Sequence, residues 1–201
     1  MPTIREVAEH AQVSVTTVSH VINNTRFVSE AVRERVQYAM RELGYHPNSL
    51  ARSLRRGETR TLGLVLPDSA NPYFAEMARA VENAAFAQGY SVIISNTDDD
   101  PAKEMHYVAV LTAKQVDGII FIATGETGNS LTQLSRSGPP VVLVDRNLHE
   151  VQLDSVLADN QHGGYLAGKH LIEIGCRRLA CIAGPSSVTP SAQRVTGFRQ
   201  A

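Results

Sequence analysis

Val13-Ser-Val-Thr-Thr-Val-Ser-His-Val-Ile-Asn-Asn24 decides how the first part of the chain folds. Ser14 can accept a hydrogen bond from a first-turn amide, so it predicts the N-cap of a short helix running from Val15 to about Asn23. Val18, Val21 and Ile22 then fall on one face at helical spacing, and Asn23-Asn24 closes the pattern. The outer face is left with Val15, Thr16, Thr17, Ser19 and His20. Threonine methyls can meet thymine methyls, threonine hydroxyls can pair either way, and a histidine can donate to guanine acceptors.

Helical patterns flank this stretch on both sides. Upstream, Thr3-Ile-Arg-Glu6 reads as a capping box, followed by an apolar stripe of Ile4, Val7, Ala8 and Ala11. Downstream, Ser29 is placed to cap a helix from Glu30 to about Leu43, with Val32, Val36, Ala39, Met40 and Leu43 inside and Gly44 at its end. Two short helices joined by a tight turn and buttressed by a third form a helix-turn-helix unit, whose second helix would lie in the major groove. By spacing alone, a small helical bundle with a solvated polar face remains an equal reading.

The next segment, Pro47-Asn-Ser-Leu-Ala-Arg-Ser-Leu-Arg-Arg-Gly57, predicts an eight-residue helix capped by Ser49. So short a helix is not stable alone in water. Leu50 and Leu54 share a face with arginines on either side, which fits a hinge that folds on DNA. A linker helix resting on the following domain fits the same residues.

From Thr61 the period changes. Leu62-Gly-Leu-Val-Leu-Pro67, Ser91-Val-Ile-Ile-Ser95, Gly118-Ile-Ile-Phe-Ile122 and Val141-Val-Leu-Val144 are short, nearly continuous apolar runs, as strands buried on both faces are. Helical patterns lie between them over about 73–88, 101–114 and 127–137. Beyond these, 155–158 and 179–183 read as strands, 161–174 as a helix, and Ser191 as the start of another. Alternating βα units predict an α/β doubly wound parallel sheet after an all-α head.

Charge divides the chain in the same place. Residues 1–60 hold nine arginines, no lysine and six glutamates, a balance of +3, while residues 61–201 hold ten basic and fourteen acidic residues, a balance of −4. A basic head on an acidic body points to a nucleic-acid-binding module joined to something else. No apolar run approaches the roughly 18 residues of a membrane span. The polar N-terminus lacks the apolar core of a signal peptide, and Cys176 and Cys181 match no common zinc pattern. A reduced cytoplasm is therefore expected, with no membrane partner.

Ligands of doubly wound sheets sit outside the carboxyl ends of the strands. The residues there are Asp68–Phe74, Asn96–Asp98, Ala123-Thr124 and Asp145-Arg146. Tyr73 and Phe74 could stack on a ring or simply pack at a helix start. Arg146 could hold hydroxyls or a carboxylate, or pair with Asp145 or Asp154. Asp98-Asp-Asp100 before Pro101 reads as a helix cap rather than a metal site. There is no Walker loop, no G-x-G-x-x-G after the first strand, no G-x-S-x-G and no metal-spaced histidine pair, so no enzymatic activity, cofactor or metal is expected.

Thr3-Ile-Arg-Glu-Val-Ala, Val13-Ser-Val-Thr-Thr-Val-Ser-His-Val-Ile-Asn-Asn24, Val28-Ser-Glu and Glu42-Leu-Gly-Tyr-His-Pro-Asn-Ser-Leu-Ala-Arg-Ser-Leu54 together resemble the LacI/GalR family of transcriptional regulators. In the remainder, Asn71-Pro-Tyr-Phe, Val116-Asp-Gly-Ile, Val144-Asp-Arg146, Asp159-Asn-Gln-His-Gly-Gly and Arg194-x-x-Gly-Phe198 resemble the family's periplasmic-binding-protein-like effector domain. The resemblance implies a repressor that binds a palindromic double-stranded DNA operator as a homodimer under control of a small-molecule effector. Its DNA-binding set would be Thr3, Ser14, Val15, Thr16, Thr17, Ser19, His20 and Asn23, with Ala51, Leu54 and Arg55 entering the minor groove. Leu54 would pry apart the central base step.

The same resemblance gives Tyr73, Phe74, Asp145, Arg146 and Arg194 as effector-binding residues. Tyr73, Phe74 and Arg194 match the family's purine-sensing members. Val188 and Pro190, however, stand where those members have polar residues, and Asp145-Arg146 is commoner among the sugar sensors. A sugar or polyol is therefore favoured, with a purine second. The implied organisation is a helix-turn-helix domain over 1–46, a hinge helix and linker over 47–60, an N-terminal effector subdomain over 61–158 and part of a C-terminal subdomain over 159–201. Set against a complete family member, the chain is expected to be C-terminally truncated and a poor effector binder. A reading from a different class is a solute-binding or sugar-metabolising α/β domain whose basic head does not bind DNA.

Overall fold

The computed structural model describes residues 2–46, 57–123, 131, 138–146, 148, 152–186 and 188–201. The hinge helix with Ala51, Leu54 and Arg55, and the helix expected over 127–137 apart from Leu131, lie outside the described residues. The chain divides into two compact units, Met1–Gly57 and Glu58–Ala201.

The first unit holds α1 (Ile4–His10), α2 (Val15–Asn23) and α3 (Glu30–Glu42). The capping box at α1 is complete: the Glu6 amide donates to Thr3 Oγ1, and the Thr3 amide donates back to Glu6 Oε2 at 2.6 Å. That pairing holds the Glu6 carboxyl below its usual value. Helix α2 ends at Asn24, which takes up φ 50°, the left-handed conformation that asparagine tolerates. At α3 the expectation is met in position only. Ser29 occupies the N-cap, but the Val32 and Arg33 amides bond its carbonyl rather than its hydroxyl. Val7, Ala8, Ala11, Val18, Val21, Val36 and Ala39 bury a core to which all three helices contribute.

The second unit is built on a five-stranded, wholly parallel sheet. Its strands are β1 (Thr61–Leu66), β2 (Ser91–Asn96), β3 (Gly118–Phe121), β4 (Val141–Val144) and β5 (Asp154–Val156), in the order β2-β1-β3-β4-β5. Helix α4 (Pro72–Ala87) joins β1 to β2, and α5 (Pro101–Ala113) carries the chain back across β1 to β3. Alternation along β1 feeds two cores. Leu64 and Leu66 pack with Phe74 and Ala78 of α4, while Val65 packs with Val108 and Leu111 of α5. Close approach of α5 requires Gly63, where an added Cβ would lie 2.6 Å from Leu111 Cδ1.

Helices α6 (Asn160–Glu173) and α7 (Thr189–Gln200) follow β5 among the described residues. They meet almost backbone to backbone: a Cβ on Gly164 would fall 2.1 Å from the Arg194 carbonyl oxygen, and one on Gly197 1.8 Å from that of Gln161.

Two expectations need correction. Burial on both faces, expected of 91–95 among the four apolar runs, does not hold for β2 at the sheet edge, where Ile94 is 49% exposed. An edge strand has a neighbour on one side only. The strand expected over 179–183 is also absent, and its residues are irregular and exposed. A parallel strand exists only through hydrogen bonds to a neighbour, and none pairs with this segment among the described residues. No helix among the described residues is long and apolar enough to cross a membrane.

Candidate nucleic-acid interface and ligand site

Helix α2 presents its polar face with most of its hydroxyls and amides already committed. Ser14 Oγ accepts from the Thr17 amide at 3.1 Å and lies 2.8 Å from Thr17 Oγ1, so both residues serve the helix start. Asn23 Nδ2 donates to the Ser19 carbonyl at 2.8 Å and contacts Ser19 Oγ at 3.3 Å. Thr3 is spent on the α1 capping box. Val15 and Thr16 are exposed, and His20 is half-buried. The His20 ring meets the Thr25 hydroxyl through Nδ1 at 2.8 Å, which leaves Nε2 without a protein partner among the described residues. The groups left open on this face are therefore the Val15 methyls, Thr16 and His20 Nε2, a small mixed set suited to base edges.

The second site forms where the sheet reverses its winding, between β1 and β3. At such a switch point the crossovers lie on opposite faces and leave a crevice beyond the strand ends. Asn71 caps α4 by accepting from the Tyr73 amide at 3.0 Å, and Asn96 Oδ1 accepts from the Ser69 amide at 2.7 Å, which fixes the loop after β1. Tyr73 is thereby placed to donate its hydroxyl to Asp145 Oδ1 at 2.8 Å. Burial pushes the Tyr73 phenol above its ordinary value. The bond to Asp145 and that carboxylate's charge push the same way, and the nearby Arg194 offsets part of the rise.

Asp145 follows β4 in a left-handed conformation, φ 67°, with its amide bonded to the Val156 carbonyl at 3.0 Å. It is buried, and Tyr73 is half-exposed beside it. Arg194 approaches from α7, held by Nε donation to Asn160 Oδ1 at 2.8 Å. Asn160 is itself buried at the start of α6.

Tyr73, Asp145 and Arg194 are thus brought together. Phe74 packs in the α4-side core with Leu64 and Leu66, and its ring meets Tyr73 edge-on at 5.3 Å. Arg146 turns toward the end of β3, where NH1 donates to the Ala123 carbonyl at 2.6 Å. Asp100 caps α5 through the Ala102 amide at 2.8 Å, and Asp98 pairs with Lys103. Sequence reading overlooked Thr25 and the holding role of Asn160, and it placed Asn96 only at a strand end. Asn160 and Asn96 stand in stretches singled out above and Thr25 one residue past one, yet nothing in residue type or spacing reveals a hydrogen bond to a partner distant in the chain, as for Asn160 and Asn96, or around a turn, as for Thr25.

A capped three-helix head with a mixed polar face, followed by a parallel α/β unit with a phenol, a carboxylate and a guanidinium near its switch point, defines a class. It is that of helix-turn-helix proteins carrying a periplasmic-binding-protein-like domain. Residues 3–48 match the family described as bacterial regulatory proteins, lacI family, and residues 59–201 match periplasmic binding proteins and sugar binding domain of LacI family. The chain belongs to the LacI family.

It is 43% identical, over its whole length, to the HTH-type transcriptional repressor PurR of Aliivibrio fischeri, of which it covers 60%. It is equally 43% identical to the ribose operon repressor of Halalkalibacterium halodurans, covering 59% of that protein. Among solved structures, the Lac repressor dimer bound to operator and the anti-inducer ONPF superposes with a TM-score of 0.85 at 27% identity, over 99% of this chain and 61% of that one. The chain thus spans about 60% of the length of these curated relatives.

Proposed function

We propose that this chain belongs to a ligand-responsive transcriptional regulator, most simply a repressor, that binds a palindromic DNA operator as a homodimer. The observation that carries the reading is the open face of α2, where Val15, Thr16 and His20 Nε2 are presented while Ser14, Thr17, Ser19 and Asn23 hold the helix in shape. Thr16 and His20 read base edges, assisted by Val15 and Thr17. Ser14, Ser19 and Asn23 act by fixing α2, and Thr3 by capping α1, so that the head approaches the DNA backbone in a set orientation. Ala51, Leu54 and Arg55 enter the minor groove as the hinge folds on DNA. The domain limits that suit this reading are 1–46, 47–60, 61–158 and 159–201.

The effector is a sugar or polyol, with a purine second. A buried carboxylate, a half-exposed phenol and a guanidinium are suited to accept from and donate to vicinal hydroxyls. The family's sugar-binding description and the ribose operon relative support a sugar, and the PurR relative supports a purine. Tyr73, Asp145 and Arg194 contact the effector, and Phe74 and Arg146 support them from the core and the end of β3. The regulator is not an enzyme and works in the cytoplasm.

Selection of bound sequences from random duplex DNA, followed by affinity measurements across a salt series, tests this reading. A palindrome should be enriched, and log affinity should fall linearly with log salt as counterions are released. Enrichment of no sequence would sink it. His20→Ala should relax preference at one position per half-site, by about 1–3 kcal/mol on the usual scale for a base contact.

A further inference from the structure

The bond between His20 and Thr25 bears on what the recognition helix can read. Asn24 ends α2 in the left-handed conformation and turns the chain so that Thr25, five residues beyond His20, returns to the imidazole. Thr25 Oγ1 then lies 2.8 Å from Nδ1. A neutral imidazole has one donor nitrogen and one acceptor nitrogen, and whatever occupies Nδ1 decides which role Nε2 plays. Nε2 is the ring atom left open on the outer face of α2.

A hydroxyl can satisfy Nδ1 in either sense, but the two senses give opposite readouts. If Thr25 donates, Nε2 carries the proton and pairs with an acceptor, as the O6 and N7 atoms of guanine are. If Nδ1 donates, Nε2 becomes an acceptor and pairs with the exocyclic amine of cytosine or adenine. The Nε2–H tautomer is the more stable form of a neutral histidine side chain. Thr25 is exposed, so a hydroxyl that donates inward keeps its lone pairs open to water.

We propose that Thr25 is a specificity-determining positioning residue whose hydroxyl donates to Nδ1 of His20, holds the ring as the Nε2–H tautomer, and so directs His20 to guanine. This rests on the DNA-binding reading above. Thr25 touches no base in this role, and it acts only through the ring it fixes.

The tautomer is read directly on the 201-residue chain without DNA, from the two ring nitrogens in a long-range nitrogen–proton correlation spectrum taken in alkaline buffer. The expected wild-type pattern is a protonated Nε2 and a bare Nδ1, with a mixture of tautomers in Thr25→Val. Selection from random duplexes gives the second readout, with His20→Ala marking the position the ring reads. Thr25→Val should lower guanine preference there by roughly tenfold. Other positions should stay unchanged, and Thr25→Ser should restore the preference.

A wild-type ring protonated on Nδ1 would overturn the inference, as would a guanine preference at that position that survives Thr25→Val. Selection of no sequence by the wild-type chain would overturn the DNA-binding reading and this inference with it. An enriched palindrome indifferent to Thr25 would overturn the inference alone.

Discussion

The Tyr73 hydroxyl donates to Asp145 Oδ1 at 2.8 Å, joining the start of α4, which follows β1, to the end of β4 across the central strand β3. The bond gives the buried Asp145 carboxylate a partner from outside its own loop. Tyr73→Phe keeps the ring and its edge contact with Phe74 but leaves that oxygen unpaired. Leaving a buried acceptor unsatisfied costs about 1–3 kcal/mol, so urea unfolding followed by the α/β unit's signal should show a loss in that range.

The phenol's titration should agree in sign. Its value is raised in the folded state, so the folded chain holds its proton more tightly than the unfolded chain. This stabilisation is complete below the ordinary value of 10.0 and is lost as pH rises through the folded value. Ultraviolet titration should find Tyr73 ionising late, and Asp145→Asn should move it earlier.

Ser14 gives a prediction confined to the head. Its hydroxyl accepts from the Thr17 amide at 3.1 Å and satisfies one of the orphan donors at the start of α2. Ser14→Ala should cost about 1 kcal/mol of head stability, and Ser14→Gly only a few tenths. Amide exchange of α2 residues compared with those of the α/β unit would separate the local loss from a global one, which is not expected.

The helices of the head were legible because capping residues and apolar spacing act locally. Thr3, Ser14, Asn24 and Gly44 mark ends that the structure places within a residue or two. The inner strands were legible for a similar reason, since β1, β3 and β4 carry continuous apolar runs. The run over 179–183 misled because apolar composition speaks to burial, whereas a strand also needs a neighbour to bond. In the candidate ligand site, Tyr73 and Asp145 were expected from strand ends and Arg194 only from the family resemblance, and the structure brings the three together. That Phe74 faces the core and that Asn160 holds Arg194 depends on side-chain direction after packing, which residue order does not carry.

Asp117 supports a pH prediction. Its Oδ1 accepts from the Thr59 amide at 2.7 Å and the Thr59 hydroxyl at 2.9 Å, and its Oδ2 accepts from the Arg60 amide at 2.9 Å. Arg60 is held at φ 53°, uncommon for a side chain of that size, with its guanidinium bonded to Glu58 and lying over Tyr90. Burial alone would raise the Asp117 carboxyl, but these bonds and the Arg60 charge outweigh it and hold it below 3.8. Its contribution is therefore complete above that value and is lost as pH falls through the lower folded value. Asp117→Asn should be less stable than wild type at neutral pH, and the gap should close in acid below about pH 4. A gap that stays constant down the acid range would show that the carboxylate's charge is not what anchors residues 59 and 60.

The α6–α7 contact separates glycines that matter for packing from one that does not. Gly164 and Gly197 face backbone atoms of the opposite helix at distances no Cβ can occupy, whereas Gly163, next in sequence to Gly164, has nothing within 4 Å of its added Cβ. Gly164→Ala and Gly197→Ala must push the helices apart, and overpacking of this kind costs about 1–3 kcal/mol. The displacement also falls on Arg194, whose carbonyl is the atom Gly164 meets and whose Nε bond to Asn160 spans the same two helices. Part of the damage should therefore appear as a larger upward shift of the Tyr73 phenol, as the offsetting Arg194 charge moves away, or as a changed Arg194 signal, not only as lost stability. Gly163→Ala carries no such clash and removes a flexible residue from a helix, so it should stabilise the unit by about 0.5–1 kcal/mol. Thermal melts of the three variants side by side would check the ordering. If Gly164→Ala melted with Gly163→Ala above the wild type, the helices could not be in backbone contact.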